Sequence, residues 1–213
     1  MAYMLGYLYA DGNLENSPAI RGKYVRVTSV DRSTIEKFKD WLHSQHIIVV
    51  LPPRTNTTGK PRFLLRIGSH VLYDALTRYG LHPHKSLTAT FPHISQRYIP
   101  HFVRGYLDGD GCIFLETGIG VAGQKILKRL TIVFTSGSKE FLEGLRDILS
   151  NQANLTPKKI YEARRAFQLR YSTKDSIVLC NFLYKGVASH LYLARKKMVV
   201  DRYLKMRNGH VAK

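Results

Sequence analysis

Two Asp-Gly pairs each close a similar stretch of nine residues. Residues 4–12 read MLGYLYADG and residues 103–111 read VRGYLDGDG. The closing carboxylates, Asp11 and Asp110, are 99 positions apart. Carboxylate oxygens are the ligands that hard divalent cations such as Mg²⁺ prefer. A repeat at about half the chain length also predicts two related halves, so the two carboxylates could form one shared metal site.

Small residues four apart in each copy predict how the two stretches pack. Gly6 and Ala10 in the first copy, and Gly105 and Gly109 in the second, fall on one face of a helix. Such a face lets another backbone come very close, so we expect the two helices to pack side by side. Glycine readily adopts the left-handed conformation that ends a helix, so each Asp is expected at a helix C-terminus. A carboxylate is disfavoured there by the helix dipole, and a nearby cation should offset it.

The overall charge points to a polyanionic partner. Lys and Arg number 33 against 15 Asp and Glu, which gives a net charge of +18 over 213 residues. Nucleic acid is the first candidate. A membrane surface is the rival, but no basic amphipathic segment stands out, and no stretch approaches the ~20 apolar residues of a membrane span. Two cysteines are too few for a disulfide framework and indicate a reducing compartment.

Hydrophobic periodicity gives the same order of elements in both halves: helix, hairpin, helix, hairpin, helix. The apolar stripe Ile35, Phe38 and Leu42 falls on Leu142, Leu145 and Leu149 at a constant offset of 107. Asp31 or Ser33 is expected to cap the earlier of these two helices and Ser138 the later. The predicted elements of the first half are helix Tyr3–Ala10, a short strand after Gly12, strand Tyr24–Ser29, the capped helix, strands Ile47–Leu51 and Arg62–Ile67, and helix Ser69–Tyr79. Those of the second half are strands Cys112–Leu115 and Leu130–Ser136, the capped helix, strands Lys159–Glu162 and Ala166–Tyr171, and a closing helix Ser189–Lys205.

Both nonapeptides resemble the LAGLIDADG motif of the homing endonucleases, with Asp11 and Asp110 at the motif's closing acidic position. The Gly-Leu-x-Pro-x-Lys-Ser step at 80–86 is also similar to members of that family. The resemblance implies an α+β fold of two pseudo-symmetric αββαββα repeats, residues 1–90 and 91–213. It places the motif helices at the interface and two antiparallel sheets as a saddle on DNA. A chain with two motifs resembles the monomeric branch.

The resemblance also implies roles for particular residues. Asp11 and Asp110, with the carbonyl groups of Ala10 and Gly109, would hold two or more Mg²⁺ ions. Arg66 and Arg170 would stabilise charge at the scissile phosphates, with Lys85 as a weaker candidate. The predicted DNA-facing set on the strands is Arg26, Arg62, Arg66, Arg129, Thr131, Gln168 and Arg170. The loop residues expected to join it are Arg21, Lys23, Arg54, Lys60, Lys125, Lys128, Lys158, Arg164 and Arg165.

These features predict a site-specific endonuclease that makes a staggered double-strand break in DNA by metal-dependent hydrolysis. Two alternatives stay open at this point. A maturase, an RNA-binding splicing cofactor with intron RNA as its partner, would share the basic surface and both aspartates. A DNA-binding regulator built on an inactive copy of the fold would be expected to lose an acidic ligand. The expected location is the cytoplasm with the nucleoid, or an organelle if the source is eukaryotic.

Overall fold

The computed structural model describes residues 1–53, 59–121 and 123–211. In this part of the chain, fifteen helices and strands alternate in two similar series. The first series is α1 (Ala2–Asp11), β1 (Gly12–Ser17), β2 (Gly22–Ser29), α2 (Arg32–Trp41), β3 (Ile48–Leu51), β4 (Arg62–Gly68) and α3 (His70–Arg78). The second series is α4 (Ile99–Asp110), β5 (Cys112–Ile119), β6 (Lys125–Ser136), α5 (Lys139–Ala153), β7 (Ile160–Ala163), β8 (Ala166–Ser172) and α6 (Thr173–Tyr184), followed by α7 (Ala194–Val211).

The two halves share one sheet topology. Each contains a four-stranded antiparallel sheet, in the orders β1-β2-β4-β3 and β5-β6-β8-β7. The register agrees as well, since Arg26 lies opposite Arg66 in the first sheet and Val133 opposite Arg170 in the second. Those pairs occupy equivalent positions in the two repeats. The predicted α+β fold with two pseudo-symmetric repeats is confirmed.

The motif helices α1 and α4 pack against each other at the centre of the molecule. A methyl group placed on Gly6 would lie 1.9 Å from the carbonyl oxygen of Phe102. Reciprocally, a methyl group on Gly105 would lie 1.9 Å from the carbonyl oxygen of Tyr3. Both distances are shorter than any non-bonded contact allows, so only glycine fits at either crossing point. The predicted close approach of the two small-residue faces is therefore correct.

The glycines that follow the aspartates act differently from the prediction. Gly12 has φ −85° and ψ 154°, and Gly111 has φ −83° and ψ 163°. Both are extended rather than left-handed, and each leads directly into a strand. Glycine is needed because a methyl group there would lie 2.6 Å from the carbonyl oxygen of Leu8 or Leu107. The predicted helix ends are right, but the reason is crowding by the preceding turn.

Two other predictions require correction. Ser33 lies inside α2 rather than at its cap, and the backbone of Asp31 takes the capping position without a side-chain hydrogen bond. The predicted closing helix Ser189–Lys205 is really a short 3-10 turn at Ser189–Leu191 followed by α7. The helix that completes the second repeat is α6, which the sequence analysis did not assign. The second half therefore carries one helix beyond the repeat.

One face of each sheet packs on the helices and the other faces outward. In the first sheet Val25, Val27 and Leu65 are buried, whereas Arg26 and Arg66 alternate with them on the outer face. In the second sheet Leu130 and Phe134 lie in the core. Within the described ranges, no helix combines the length and apolar character needed to cross a membrane.

Candidate metal and nucleic-acid site

Asp11 and Asp110 are the last residues of α1 and α4 and lie at the same end of the helix pair. A methyl group on Gly109 would lie 2.3 Å from Ala10 Cβ and 3.6 Å from Asp11 Oδ2. The Asp11 carboxylate is thus held beside the end of the opposite helix. Both aspartates keep exposed surface. Protein on the remaining sides desolvates Asp110, and this, with the negative charge of Asp11, raises the pKa of Asp110 to about 6. The two carboxylates therefore act on one another.

Two buried lysines supply the positive charge that these helix ends need. Lys85 Nζ donates to the carbonyl oxygen of Gly12 at 2.6 Å. Lys196 Nζ donates to the carbonyl oxygens of Leu107 at 2.5 Å and Gly111 at 2.7 Å. Gly12 and Gly111 are equivalent positions of the two motifs, so a buried lysine binds the carbonyl oxygen of the last glycine in each motif. Burial lowers the pKa of Lys85, opposed by Asp110 and Asp11, and burial lowers that of Lys196 to about 8.

Asp108, two residues before Asp110, serves the fold rather than the metal site. Its Oδ2 accepts hydrogen bonds from Tyr3 Oη and from the backbone N–H of Leu193, both at 2.8 Å. The residue is buried, and burial raises the pKa of its carboxyl group. These bonds fasten the segment before α7 to the motif helix. That segment is what carries Lys196 to the end of α4.

The surroundings of the two carboxylates are unequal. A cavity of about 530 Å³ opens beside Asp11, and basic side chains from both halves line it. They are Arg26, Lys60, Arg62 and Arg195. Beside Asp110 the cavity is about 40 Å³ and is narrowed by Ser86 and Ala89 of the segment between the halves. The first cavity can accept a phosphate with direct cationic contacts, whereas the second is more enclosed.

The donor set fits a hard divalent cation that keeps part of its hydration. In the described ranges, no cluster of three or more His, Cys, Asp or Glu side chains could enclose a metal ion. Mg²⁺ commonly binds through only one or two carboxylates and completes its shell with water and substrate phosphates. Asp11 and Asp110 are two carboxylates of that kind. The predicted part of the Ala10 and Gly109 carbonyl groups stays a prediction, and the Gly109 carbonyl accepts from Lys196 at 3.5 Å.

Arg66 and Arg170 lie on the outer faces of the two sheets, on the strands beside Arg26 and Val133. Arg66 donates from Nε to Glu15 at 2.8 Å and lies 3.6 Å from the centre of the Tyr24 ring. Arg170 donates from Nε to Gln168 at 3.1 Å. The cations that act on Asp110 are Lys85 and Lys196. A catalytic role for Arg66 and Arg170 stays a prediction, and so does that of Lys85, whose charge acts on Asp110.

The other predicted DNA-facing residues are distributed over the outer faces and hairpin tips. Arg62 donates to the Pro52 carbonyl, and Lys23 and Lys158 form ion pairs with Asp74 and Asp175. Thr131 is 7 % exposed, which does not support its predicted DNA contact. Arg21 precedes β2, Lys60 precedes β4, Lys125, Lys128 and Arg129 lie on β6, Arg164 and Arg165 form the β7–β8 turn, and Gln168 lies on β8. Arg54 is outside the described residues.

Sequence reasoning missed three residues that the structure places at these sites. Lys196 stands in a run of Arg195, Lys196 and Lys197 that reads as an exposed basic patch. Its burial follows only from the position of α7, which the repeat pattern does not contain. Glu15 was missed because its contact with Arg26 and Arg66 depends on the register of three strands. Arg195 comes from the second half but lines the cavity at Asp11.

Residues 98–181 match the sequence profile of a family described as a LAGLIDADG-like domain. A search of curated proteins finds no match. Among solved structures, the meganuclease I-SmaMI bound to uncleaveable DNA is similar with a TM-score of 0.62, at 14% identity over 98% of this chain and 92% of that one. The chain has the two-repeat LAGLIDADG fold. The resemblance read from the two motifs is thereby confirmed.

Two further structures show the same LAGLIDADG architecture. The meganuclease I-AabMI bound to uncleaved DNA gives a TM-score of 0.57 at 14% identity, over 93% of this chain and 86% of that one. Mesophilic variants of the homing endonuclease I-DmoI give a TM-score of 0.57 at 19% identity, over 87% of this chain and 95% of that one. Both alignments span most of each partner, so the likeness covers both LAGLIDADG repeats rather than one.

Proposed function

We propose that this chain is a site-specific DNA endonuclease that cuts both strands of a duplex in a divalent-metal-dependent reaction. The observation that carries the proposal is the pairing of Asp11 and Asp110 at the joined ends of α1 and α4. Each carboxylate stands next to a buried lysine, and two sheets with basic outer faces flank them. Carboxylates, cations and an extended basic surface together suit phosphodiester hydrolysis in DNA.

Asp11 and Asp110 would hold Mg²⁺, and the carbonyl groups of Ala10 and Gly109 would be further oxygen ligands. When bound, the metal lowers the pKa of a water molecule and neutralises charge on the phosphate. Lys85 and Lys196 keep the two helix ends and their carboxylates in place. Their positive charge also offsets the negative charge that develops when a phosphate is attacked. Each aspartate would serve one strand, which gives a double-strand break.

The chain would bind DNA as a monomer, with the outer faces of its two sheets lying on a long asymmetric site. I-SmaMI and I-AabMI, which share the fold, have been solved with DNA bound. In this chain Arg26, Arg62, Arg129 and Arg170 lie on strands of the two outer faces, and Arg164 lies at a hairpin tip. Arginine on such a face can contact phosphates or read guanine edges. The two faces differ in composition, as an asymmetric site requires.

The decisive experiment is selection of cleaved duplexes from a random DNA library. The full chain is incubated with the library in Mg²⁺, and a parallel sample contains Ca²⁺ as a control for binding without cutting. We expect one site to be enriched, with a cut in each strand. Asp110→Asn should abolish cleavage yet leave binding measurable. Full nuclease activity in that variant would refute the assignment, and so would assistance of intron splicing without any cleavage of DNA.

A further inference from the structure

Glu15 on β1 connects two arginines of the first sheet. Its Oε2 accepts from Arg66 Nε at 2.8 Å, and its Oε1 accepts from Arg26 Nη1 at 3.1 Å. Arg26 and Arg66 are directly opposite each other on β2 and β4. Like charges at such cross-strand positions repel. One carboxylate thus neutralises the repulsion and fixes both side chains.

The Arg66 guanidinium is also held on its flat face. It lies 3.6 Å from the centre of the Tyr24 ring, and Tyr24 is the cross-strand partner of Glu15. A carboxylate at its edge and an aromatic ring at its face leave the group few orientations. The Glu15 side chain is only 24% exposed, against 42% for Arg66. The Glu15 carboxylate is therefore less accessible to solvent than the Arg66 side chain that it holds.

This arrangement has little to contribute to stability. Partly exposed ion pairs add little to the free energy of unfolding. The effect of the arrangement is to restrict the rotamers of Arg66, which donates to Glu15 through Nε and so keeps its two terminal nitrogens outside that bond. Two adjacent guanidinium nitrogens match the O6 and N7 acceptors of guanine.

We propose that Glu15 is a positioning residue that holds Arg26 in place and orients Arg66 for guanine recognition in the half of the DNA site facing the first sheet. This rests on the proposed function, because it requires the outer face of the sheet to lie on DNA. An arginine fixed before binding loses less side-chain entropy when it forms its contact. This gain in binding free energy applies only to the base whose edge matches the fixed guanidinium group.

The second sheet lacks this device at the equivalent positions. Phe114 stands where the first sheet has Glu15, and Val133 stands where it has Arg26. Arg170, the counterpart of Arg66, donates from Nε and Nη2 to the neutral amide oxygen of Gln168 instead and lies 5.9 Å from the centre of the Tyr161 ring. One of its terminal nitrogens is therefore already engaged. The guanine preference should therefore be strongest on the side of the first sheet. An identical pair of half-sites is not expected.

The test is selection of bound duplexes from a random library in Ca²⁺, with the wild-type chain and Glu15→Gln. Glutamine keeps the size of the side chain but weakens its hold on two cations. We expect the preference for guanine at one or two adjacent positions to fall about tenfold, with the rest of the site unchanged. Glu116→Gln is the matched control, since it removes an exposed carboxylate from β5 of the other sheet. It should leave those guanines in place.

The outcomes separate this inference from the proposed function. If the wild-type chain enriches no site, the proposed function fails. If it enriches a site but Glu15→Gln leaves the guanine preference intact, or weakens all positions equally, only the role of Glu15 is refuted. Should Glu15→Gln fail to fold, Arg66→Lys keeps the charge and removes the fork. That variant must lose guanine preference in the half-site that faces the first sheet.

Discussion

Lys196 on α7 donates to the carbonyl oxygen of Gly111 at the end of the second motif. Lys85, from the segment between the halves, does the same for Gly12 at the end of the first. The carbonyl groups of two equivalent glycines thus accept hydrogen bonds from lysines that come from unrelated parts of the chain. The pseudo-symmetry of the site depends on α7, although α7 itself has no counterpart in the first repeat.

Replacing Lys85 with Met should slow cleavage far more than it weakens binding. The lysine is buried at the Gly12 carbonyl, where the charges of both carboxylates act on it, and removal of one preorganised charge-stabilising group costs about 100-fold in rate. Single-turnover cleavage in Mg²⁺ measures the rate, and titration in Ca²⁺ measures affinity. Lys128→Met, on an exposed strand position, serves as the control and should affect affinity alone. An unchanged cleavage rate in Lys85→Met would exclude a catalytic part for this residue.

Replacing Lys196 with Met should lower both the cleavage rate and the stability. Its ammonium group satisfies main-chain oxygens of Leu107, Asp108 and Gly111 at once. Loss of a buried charged donor costs about 2 kcal/mol of unfolding free energy. Chemical denaturation of the metal-free protein measures this cost. A stability equal to the wild type would show that the carbonyl groups find water instead.

The stability of the metal-free protein should depend on the ionisation of Asp110. Its pKa is raised to about 6 by desolvation and by Asp11, so the folded state favours the protonated form. The stability linked to this shift is complete below the ordinary pKa near 4 and is lost as the pH rises through 6. Asp110→Asn should therefore raise the Tm in EDTA at about pH 7.5 and change it much less at about pH 4. A Tm difference that is the same at both pH values contradicts this account.

The repeated parts of the molecule were accessible from sequence, because repetition is visible and periodicity is local. The offset between Ile35 and Leu142 matched α2 with α5, and the alternation of apolar residues predicted the strands of both sheets. The helix α6 was not predicted, although Gly186 follows it with a φ of 68°. The position of α7 was not predicted either, because α7 lies outside the repeat and has no second copy for comparison. Lys196 follows a segment that Asp108 fastens to α4 by accepting a hydrogen bond from the backbone N–H of Leu193. That contact joins residues 85 positions apart, and no local signal predicts it.

Gly105→Ala should destabilise the protein, although alanine favours a helix by about 1 kcal/mol over glycine. The new methyl group would meet the Tyr3 carbonyl oxygen at 1.9 Å, and two backbones cannot move apart without opening the central interface. Overpacking at such a site costs about 3 kcal/mol, so the net effect is a lower Tm. Gly68→Ala is the control, because its methyl group would meet a side chain that can move, that of Tyr24 at 3.3 Å, and not a backbone. Equal Tm values for the two variants would contradict the tight helix crossing.

DNA binding should weaken steeply as salt is added. With a net charge of +18 and basic residues on both sheets, about eight phosphates are expected to be neutralised, which predicts a slope of log K against log salt near −7. Arg129→Ala removes one exposed cation from β6 and should reduce the magnitude of the slope by about 1 while lowering affinity for every sequence alike. Glu15→Gln offers a contrast, because it should change base preference and leave the slope nearly as it was. Fluorescence anisotropy in Ca²⁺ at several salt concentrations separates the two effects. A slope near zero for the wild-type chain would argue against a duplex lying along the sheets.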